Sequence, residues 1–365
     1  MTTLSTPKND GILSRQIAFA AAFLLPTAKL LEAPSILAKD AAGDLLLPAL
    51  LHFLVQAGVL FAVLVAASRS EKPLLTRLQE KLGRGMIFFY ILYGAYFVFA
   101  ALLPLLDLEK YTYAVFFDTS PTVFSFVFFF FLAAFACTKG IEGIGRIADL
   151  CLFLFVFPFL ALIVMSLTET DFSRLLPLFG TKFGDTMSAF THATPYFSDA
   201  ILLLPLVGNL RYEKGDTLKI LGGYGVGAAS TLLFLAVFFG IYGSIAPREH
   251  YAFSKIAQYF PALSTVGRID LIFVYLLTAV LFFCTCLPLQ YTVDLTCRTV
   301  GTERRTLFSA LLCGALFVFV LYANRHYDFF HTLIRGHLGW IFWFVADMVP
   351  LFLLFLPKER EVKRG

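Results

Sequence analysis

The sequence predicts an all-α integral membrane protein with ten membrane-crossing helices. Three observations predict it. Of the 365 residues, 59% are hydrophobic and only 15% are charged, whereas a soluble domain carries about 25% charged residues. The 43 phenylalanines and a mean hydropathy of +0.79 favour hydrocarbon. The apolar residues fall in runs of about 20, the length that crosses a bilayer, and only short polar segments separate them.

In chain order the runs are roughly 16–38, 45–68, 84–106, 121–137, 147–167, 184–207, 217–245, 266–297, 304–322 and 337–356. The polar residues 1–10 show no secretory cleavage pattern, and the first run is too long and too interrupted for a signal peptide. In the second run His52 and Gln56 lie four apart on one face, a spacing suited to interhelical hydrogen bonds. In the third, Tyr90, Tyr93 and Tyr96 recur every three residues, as a cavity lining or a packing stripe would. The stretch from Gly222 to Gly227 in the seventh run reads G-G-Y-G-V-G; its small residues permit close helix contact, and it lacks the strand and lysine of a phosphate loop. The segments 168–183 and 246–265 contain apolar residues and read as short helices at one membrane face. No linker is visible, so residues 1–365 form a single membrane domain.

The positive charges set the orientation. With the N-terminus in the cytoplasm, 19 Lys and Arg lie in cytoplasmic segments and nine in external ones, leaving Lys29 inside the membrane. Both termini are then cytoplasmic. Ten spans divide five and five, and because five is odd the second half begins from the opposite side. The expected repeats cover about 16–167 and 184–356, with inverted topology.

Two runs are interrupted where a membrane helix should be uniform. Residues 25–34 read L-P-T-A-K-L-L-E-A-P, and residues 191–205 read T-H-A-T-P-Y-F-S-D-A-I-L-L-L-P. These are the first and sixth spans, the first of each half. A charge at the bilayer centre costs at least about 2.5–3.5 kcal/mol, so pairing or a wet cavity must offset it. Broken helices in corresponding places of two halves point to a transporter binding site. Pro26 and Pro34 displace the carbonyls four residues earlier, those of Ala22 and Leu30. The functional reading is an unwound segment in which Thr27, Ala28 and Lys29 meet a carboxylate or zwitterion, with Glu32 beside them. The alternative is a structural Lys29–Glu32 pair, three apart on one face. In the second break Asp199 is positioned to accept from a substrate amine or from Lys29, with Tyr196 and Phe197 covering an apolar side chain; equally, Asp199 and Ser198 suit capping of a half-helix. Asp347, in the middle of the last span, is a further partner for Lys29 or a proton carrier. Asp149, Asp270 and Asp294 lie near span ends and read as interfacial or ion-paired.

No nucleophile–base constellation appears, so an enzyme is not expected, and no cofactor is called for. The six cysteines lack metal-ligand spacing and read as small hydrophobes in helix packing. His326, Asp328, His331 and His337 are too irregularly spaced for a metal site and read as a solvated turn. A net charge of +4 gives a nucleic-acid partner no electrostatic support; the partners expected are the lipid bilayer and a small molecule.

Several stretches carry a resemblance: S-R-Q-I-A-F at 14–19, Pro34, R-I-A-D-L at 146–150, D-F-S-R-L-L-P-L at 171–178 and G-R-I-D-L-I-F at 267–273. In order and spacing the chain resembles the spore germination permease family, the B subunit of germinant receptors, within the amino acid–polyamine–organocation group. That group is similar to the LeuT-type fold, two inverted five-helix repeats with substrate at the breaks of helices 1 and 6. The resemblance implies recognition of an amino acid or similar small germinant, as a receptor subunit or an amino-acid transporter. It also implies a larger germinant receptor membrane subunit and a lipoprotein as partners, and a place in the bacterial cytoplasmic or spore inner membrane. A non-transporting sensor or scaffold subunit is the alternative. The group has a Gly-rich stretch at the first break; here it reads Pro26-Thr27-Ala28-Lys29, which places a fixed cation where relatives hold a sodium ion or substrate amine. Coupling to protons rather than sodium is the resulting expectation.

Overall fold

The computed structural model describes residues 12–70, 72–116, 122–177, 179–258, 270–335, 338, 341 and 344–355. These residues are overwhelmingly helical and include no strand. The expected ten spans are present in order. Span 1 is Ser14–Lys29 continued by Ala33–Asp44. Spans 2 to 5 are Leu46–Ala67, Met86–Phe116, Thr122–Thr138 and Gly140–Ser166. Span 6 is split into Phe183–Ala193 and Asp199–Gly208; spans 7 to 9 are Asp216–Tyr242, Asp270–Val300 and Arg305–Asn324. The continuous described part of span 10 is Phe344–Phe355; apart from residues 338 and 341 the remainder, with His337, lies outside the described residues, as do residues 1–10, the start of span 8 and the end of segment 246–265.

Proline chemistry explains both breaks. In span 1 the turn Ala20–Leu24 is a π-helix, in which Leu25 N–H reaches back five residues to Ala20 O. That wide turn admits Pro26, which has no N–H to give. The helix then runs through Leu25–Lys29 and stops at 30–32, where the axis bends by 63° before Ala33. The gap therefore falls after the P-T-A-K stretch and not within it, because Pro34 withdraws the donor that Leu30 O would need. In span 6 Pro195 sits in the 3-10 turn Thr194–Tyr196; Phe197 closes it through Thr194 O at 3.0 Å, and Ser198 is non-helical.

Close approach brings span 7 onto span 1. A Cβ on Gly223 would lie 2.5 Å from Ala18 O, and one on Gly227 would collide with Ala21 O. Only glycine permits that approach. The halves Ala33–Ala41 and Phe183–Ala193 pack on each other, and span 8 runs against spans 3 and 5. The six cysteines are buried and unpaired. Phe128, Phe131, Phe135, Phe153 and Phe157 project outward, exposed, which suits contact with lipid chains.

Two differences from the sequence reading are informative. Residues between spans 2 and 3 form the helix Leu74–Leu82, anchored by Arg77 Nη1 on Ala66 O at 3.0 Å. Span 3 continues past 106 to Phe116, because Asp107 and Glu109, which look like the polar end of a span, are buried with partners. In their described residues, segment 168–183 forms the short turn Phe172–Leu175 before span 6 begins, and segment 246–265 forms the helix Ala252–Gln258.

Candidate functional site

Lys29 closes the first half of span 1, and Asp199 opens the second half of span 6. Their side chains meet: Lys29 Nζ lies 2.5 Å from Asp199 Oδ1, and the two side chains are 2% and 3% exposed. Lys29 Nζ also donates to Leu25 O at 3.3 Å, and Tyr224 Oη of span 7 donates to Asp199 Oδ2 at 3.2 Å. Asp199 does not cap its half-helix. It is the first helical residue, Ser198 holds the cap position without a side-chain cap bond, and the Ser198 hydroxyl turns back to Thr194 O at 3.2 Å.

One N–H in the first turn of that half-helix is met from span 2. Ala200 N donates to Gln56 Oε1 at 2.9 Å, and Gln56 Nε2 donates to Asp347 Oδ1 at 2.6 Å. Asp347 is fully buried, and its Oδ2 has no partner among the described residues. It is thus joined to the pair through Gln56 and one peptide group, and not directly to Lys29. His52 Nε2 bonds Phe190 O at 2.7 Å, and its ring stacks on Phe197 at 4.7 Å.

A cavity of about 560 Å³, open mouth included, adjoins the pair. Ala28, Lys29, Tyr196, Ser198 and Asp199 line it, together with Tyr96 of span 3 and Cys284 and Thr285 of span 8. Three expected residues do not. Thr27 is buried in the helix and bonds Phe23 O at 3.1 Å. The Phe197 ring lies 5.5 Å from Lys29 Nζ, on the His52 side. Glu32 faces His250, with Nδ1 3.0 Å from Oε2. The alternative, a Lys29–Glu32 pair, does not form, because the bend at 30–32 turns the two residues away from a common face.

The break in span 1 is also sealed. Leu30 O accepts from Phe253 N at 3.1 Å and Leu31 O from Ala252 N at 2.9 Å. The carbonyl that Pro34 frees is therefore taken by the segment joining spans 7 and 8. The face where the chain enters span 1 is called the entry face below, and the opposite one the far face. Towards the far face Tyr196 Oη donates to Asp107 Oδ2 at 2.7 Å and Tyr327 Oη to Asp107 Oδ1 at 2.9 Å. Asn324 Nδ2 donates to Glu109 Oε1 at 2.9 Å. Asp107 and Tyr224 as partners were not singled out from sequence, the polar end of span 3 being the available signal for the first; Gln56 was, for interhelical hydrogen bonds, and it makes them to spans 6 and 10. Asp294 is ion-paired with Arg298 and Arg305, and Asp149 with Arg15. Among the described residues no group of three His, Cys, Asp or Glu side chains is placed to hold a metal ion.

A family model described as spore germination protein matches residues 18–328, and the chain belongs to that spore germination permease family. A search of curated proteins finds no match. Among solved structures, the Eremococcus coleocola manganese transporter is similar in fold. A histidine-to-alanine variant of it gives a TM-score of 0.54 at 12% identity, covering 96% of this chain and 81% of that one. A glutamate-to-alanine variant gives 0.55 at 13% identity with the same coverage. The protein is thus an integral membrane protein of permease type with the expected LeuT-type fold of ten helices, the first and sixth broken.

Proposed function

We propose that this protein binds an amino acid or similar small germinant between the breaks of spans 1 and 6, as a germinant receptor subunit or an amino-acid transporter. The observation that carries the reading is the Lys29–Asp199 pair at the wall of the cavity. A buried charge left without its partner costs about 3–5 kcal/mol. A zwitterion entering between the two satisfies both, its carboxylate on Lys29 and its ammonium on Asp199. Ala28 and Ser198 are small enough to admit the main-chain end, while Tyr196 covers the side chain. Thr27, Glu32 and Phe197 act from behind the lining: Phe197 stacks beside Lys29, and Glu32 holds the far side of the break through His250.

Lys29 supplies a fixed cation where a sodium ion would otherwise sit, so coupling to protons is favoured, with Asp347 and Asp199 as the groups that exchange them. The 19 to 9 distribution of Lys and Arg supports cytoplasmic termini. Membership of the family supports a larger receptor membrane subunit and a lipoprotein as partners. One observation favours a second reading, binding without flux: the backbone bonds at Leu30 and Leu31 tie the break of span 1 to a neighbouring segment.

The test is an amino-acid panel scored by thermal stabilisation of the purified protein and of Asp199→Asn, alongside uptake into proteoliposomes. Stabilisation of the wild type and not of the variant supports the site. Stabilisation without uptake selects the sensor reading. Equal stabilisation of both proteins overturns the site.

A further inference from the structure

A second cavity, of about 430 Å³ with its open mouth, lies towards the entry face among spans 3, 5, 6 and 8 and the helix Leu74–Leu82. Its walls are mostly aromatic and aliphatic, with the ion-paired Asp294 and Arg298 also in the lining. Tyr93 lies 4.4 Å from Phe89 and 6.2 Å from Phe97, ring to ring, and Tyr291 packs on Phe97 at 5.1 Å. Leu204 and Pro205 of the broken sixth span close the opposite side.

Two polar groups stand out in this apolar setting. Tyr93 and Tyr291 are 2% and 1% exposed, both line the cavity, and neither hydroxyl has a hydrogen-bond partner among the described residues. Packing alone does not explain them, since phenylalanine would fill the same volume without an unpaired hydroxyl. A buried donor without an acceptor is costly, and buried tyrosine hydroxyls ordinarily find partners. The nearest charges are already matched: Asp294 accepts from Arg298 Nε at 2.8 Å and from Arg305 Nη2 at 2.9 Å. The cavity thus presents an apolar shell with two neutral donors buried just behind it, and no uncommitted charge for a zwitterion.

We infer that this cavity is a second binding site, distinct from the Lys29–Asp199 site, for a small uncharged molecule with an apolar body and an oxygen acceptor, held by the hydroxyls of Tyr93 and Tyr291. The pairing follows from ordinary pocket chemistry, in which an apolar lining supplies affinity and a few placed polar groups orient the guest. Since Leu204 and Pro205 belong to the half-helix that Asp199 begins, a guest there also packs against the element that carries Asp199.

The probe is 4-fluoroacetophenone, a neutral ring with one carbonyl, followed by ¹⁹F NMR on the full chain in nanodiscs, with empty nanodiscs subtracting partition into lipid. The control probe is 4-fluoroethylbenzene, of similar shape without the acceptor. Saturable binding of the ketone, about tenfold or more tighter than the hydrocarbon, is expected from one to two hydrogen bonds. The double variant Tyr93→Phe, Tyr291→Phe should bring the ketone down to the level of the hydrocarbon. Equal binding of the two probes to the wild type, or ketone binding unchanged in the double variant, or no saturable signal above empty nanodiscs, overturns the assignment. The comparison of probes on the wild type stands even if the variant fails to fold.

Discussion

Lys29 and Asp199, 170 residues apart in sequence, form a buried ion pair with 2.5 Å between Nζ and Oδ1, and each lies at the edge of a helix break. The pair joins spans 1 and 6 beside the points where both lose helical continuity. Tyr224 and the Gln56-bonded peptide of Ala200 complete its surroundings.

Removing one member of the pair should be worse than removing both. Asp199→Asn strands the Lys29 ammonium and should cost about 3–5 kcal/mol, as should Lys29→Met through the stranded carboxylate. The double variant should recover most of that loss, while amino-acid binding stays absent. Denaturation in a single detergent, analysed as a double-mutant cycle, measures the coupling; additive losses would contradict a mutually dependent pair.

Tyr224→Phe removes one hydrogen bond to a carboxylate, worth about 1.5–3 kcal/mol. The expected result is a modestly lower Tm with the ion pair retained, and a ligand-binding defect smaller than that of Asp199→Asn. A loss as large as that of the aspartate variant would mean that Tyr224 contacts the ligand itself.

Gly223 and Gly222 are neighbours with opposite surroundings. A side chain at Gly223 runs into Ala18 O of span 1, whereas at Gly222 nothing lies within 4 Å. Gly223→Val should lower stability by at least about 1–3 kcal/mol through overpacking, and Gly222→Ala should be close to neutral. Thermal melts of the two variants decide this, and equal tolerance would remove the tight contact between spans 1 and 7.

Topology is open to cysteine labelling, because all six native cysteines are buried. With both termini cytoplasmic, a membrane-impermeant maleimide on intact cells should modify Glu169→Cys, between spans 5 and 6, and spare Glu213→Cys, between spans 6 and 7; both positions are exposed. The reverse pattern would invert the orientation.

Amino-acid binding or uptake should depend on pH and be indifferent to replacing sodium with potassium. Proteoliposomes with imposed proton or sodium gradients provide the measurement, and a strict sodium requirement would remove Lys29 from the role of fixed cation.

The spans and both breaks were legible because their causes are local. Twenty apolar residues cross a bilayer wherever they occur, and a proline removes its donor whatever surrounds it. Lys29 and Asp199 were visible as energetic anomalies for the same reason. Local rules failed where continuity failed. Lys29 and Glu32 share a face only on an unbroken helix, and the 63° bend gave Glu32 to His250 instead. Leu30 O was rightly expected to lose its helical donor, but the supply of a new one by Phe253 N could not be seen from span 1. Span 3 was ended too early because Asp107 and Glu109 look solvent-bound until Tyr196, Tyr327 and Asn324 are known to meet them.

By itself, then, the sequence determined that this is a ten-helix membrane protein with breaks in spans 1 and 6 and charges stranded beside them. Only the tertiary structure decided which charge answers which, that Gln56 links Asp347 to the half-helix, and that a second aromatic cavity is lined by two tyrosines whose hydroxyls have no partner among the described residues. The division is physical. Hydrophobic length and proline geometry act within one helix, whereas partner choice is set by distances across the bundle, between residues hundreds of positions apart.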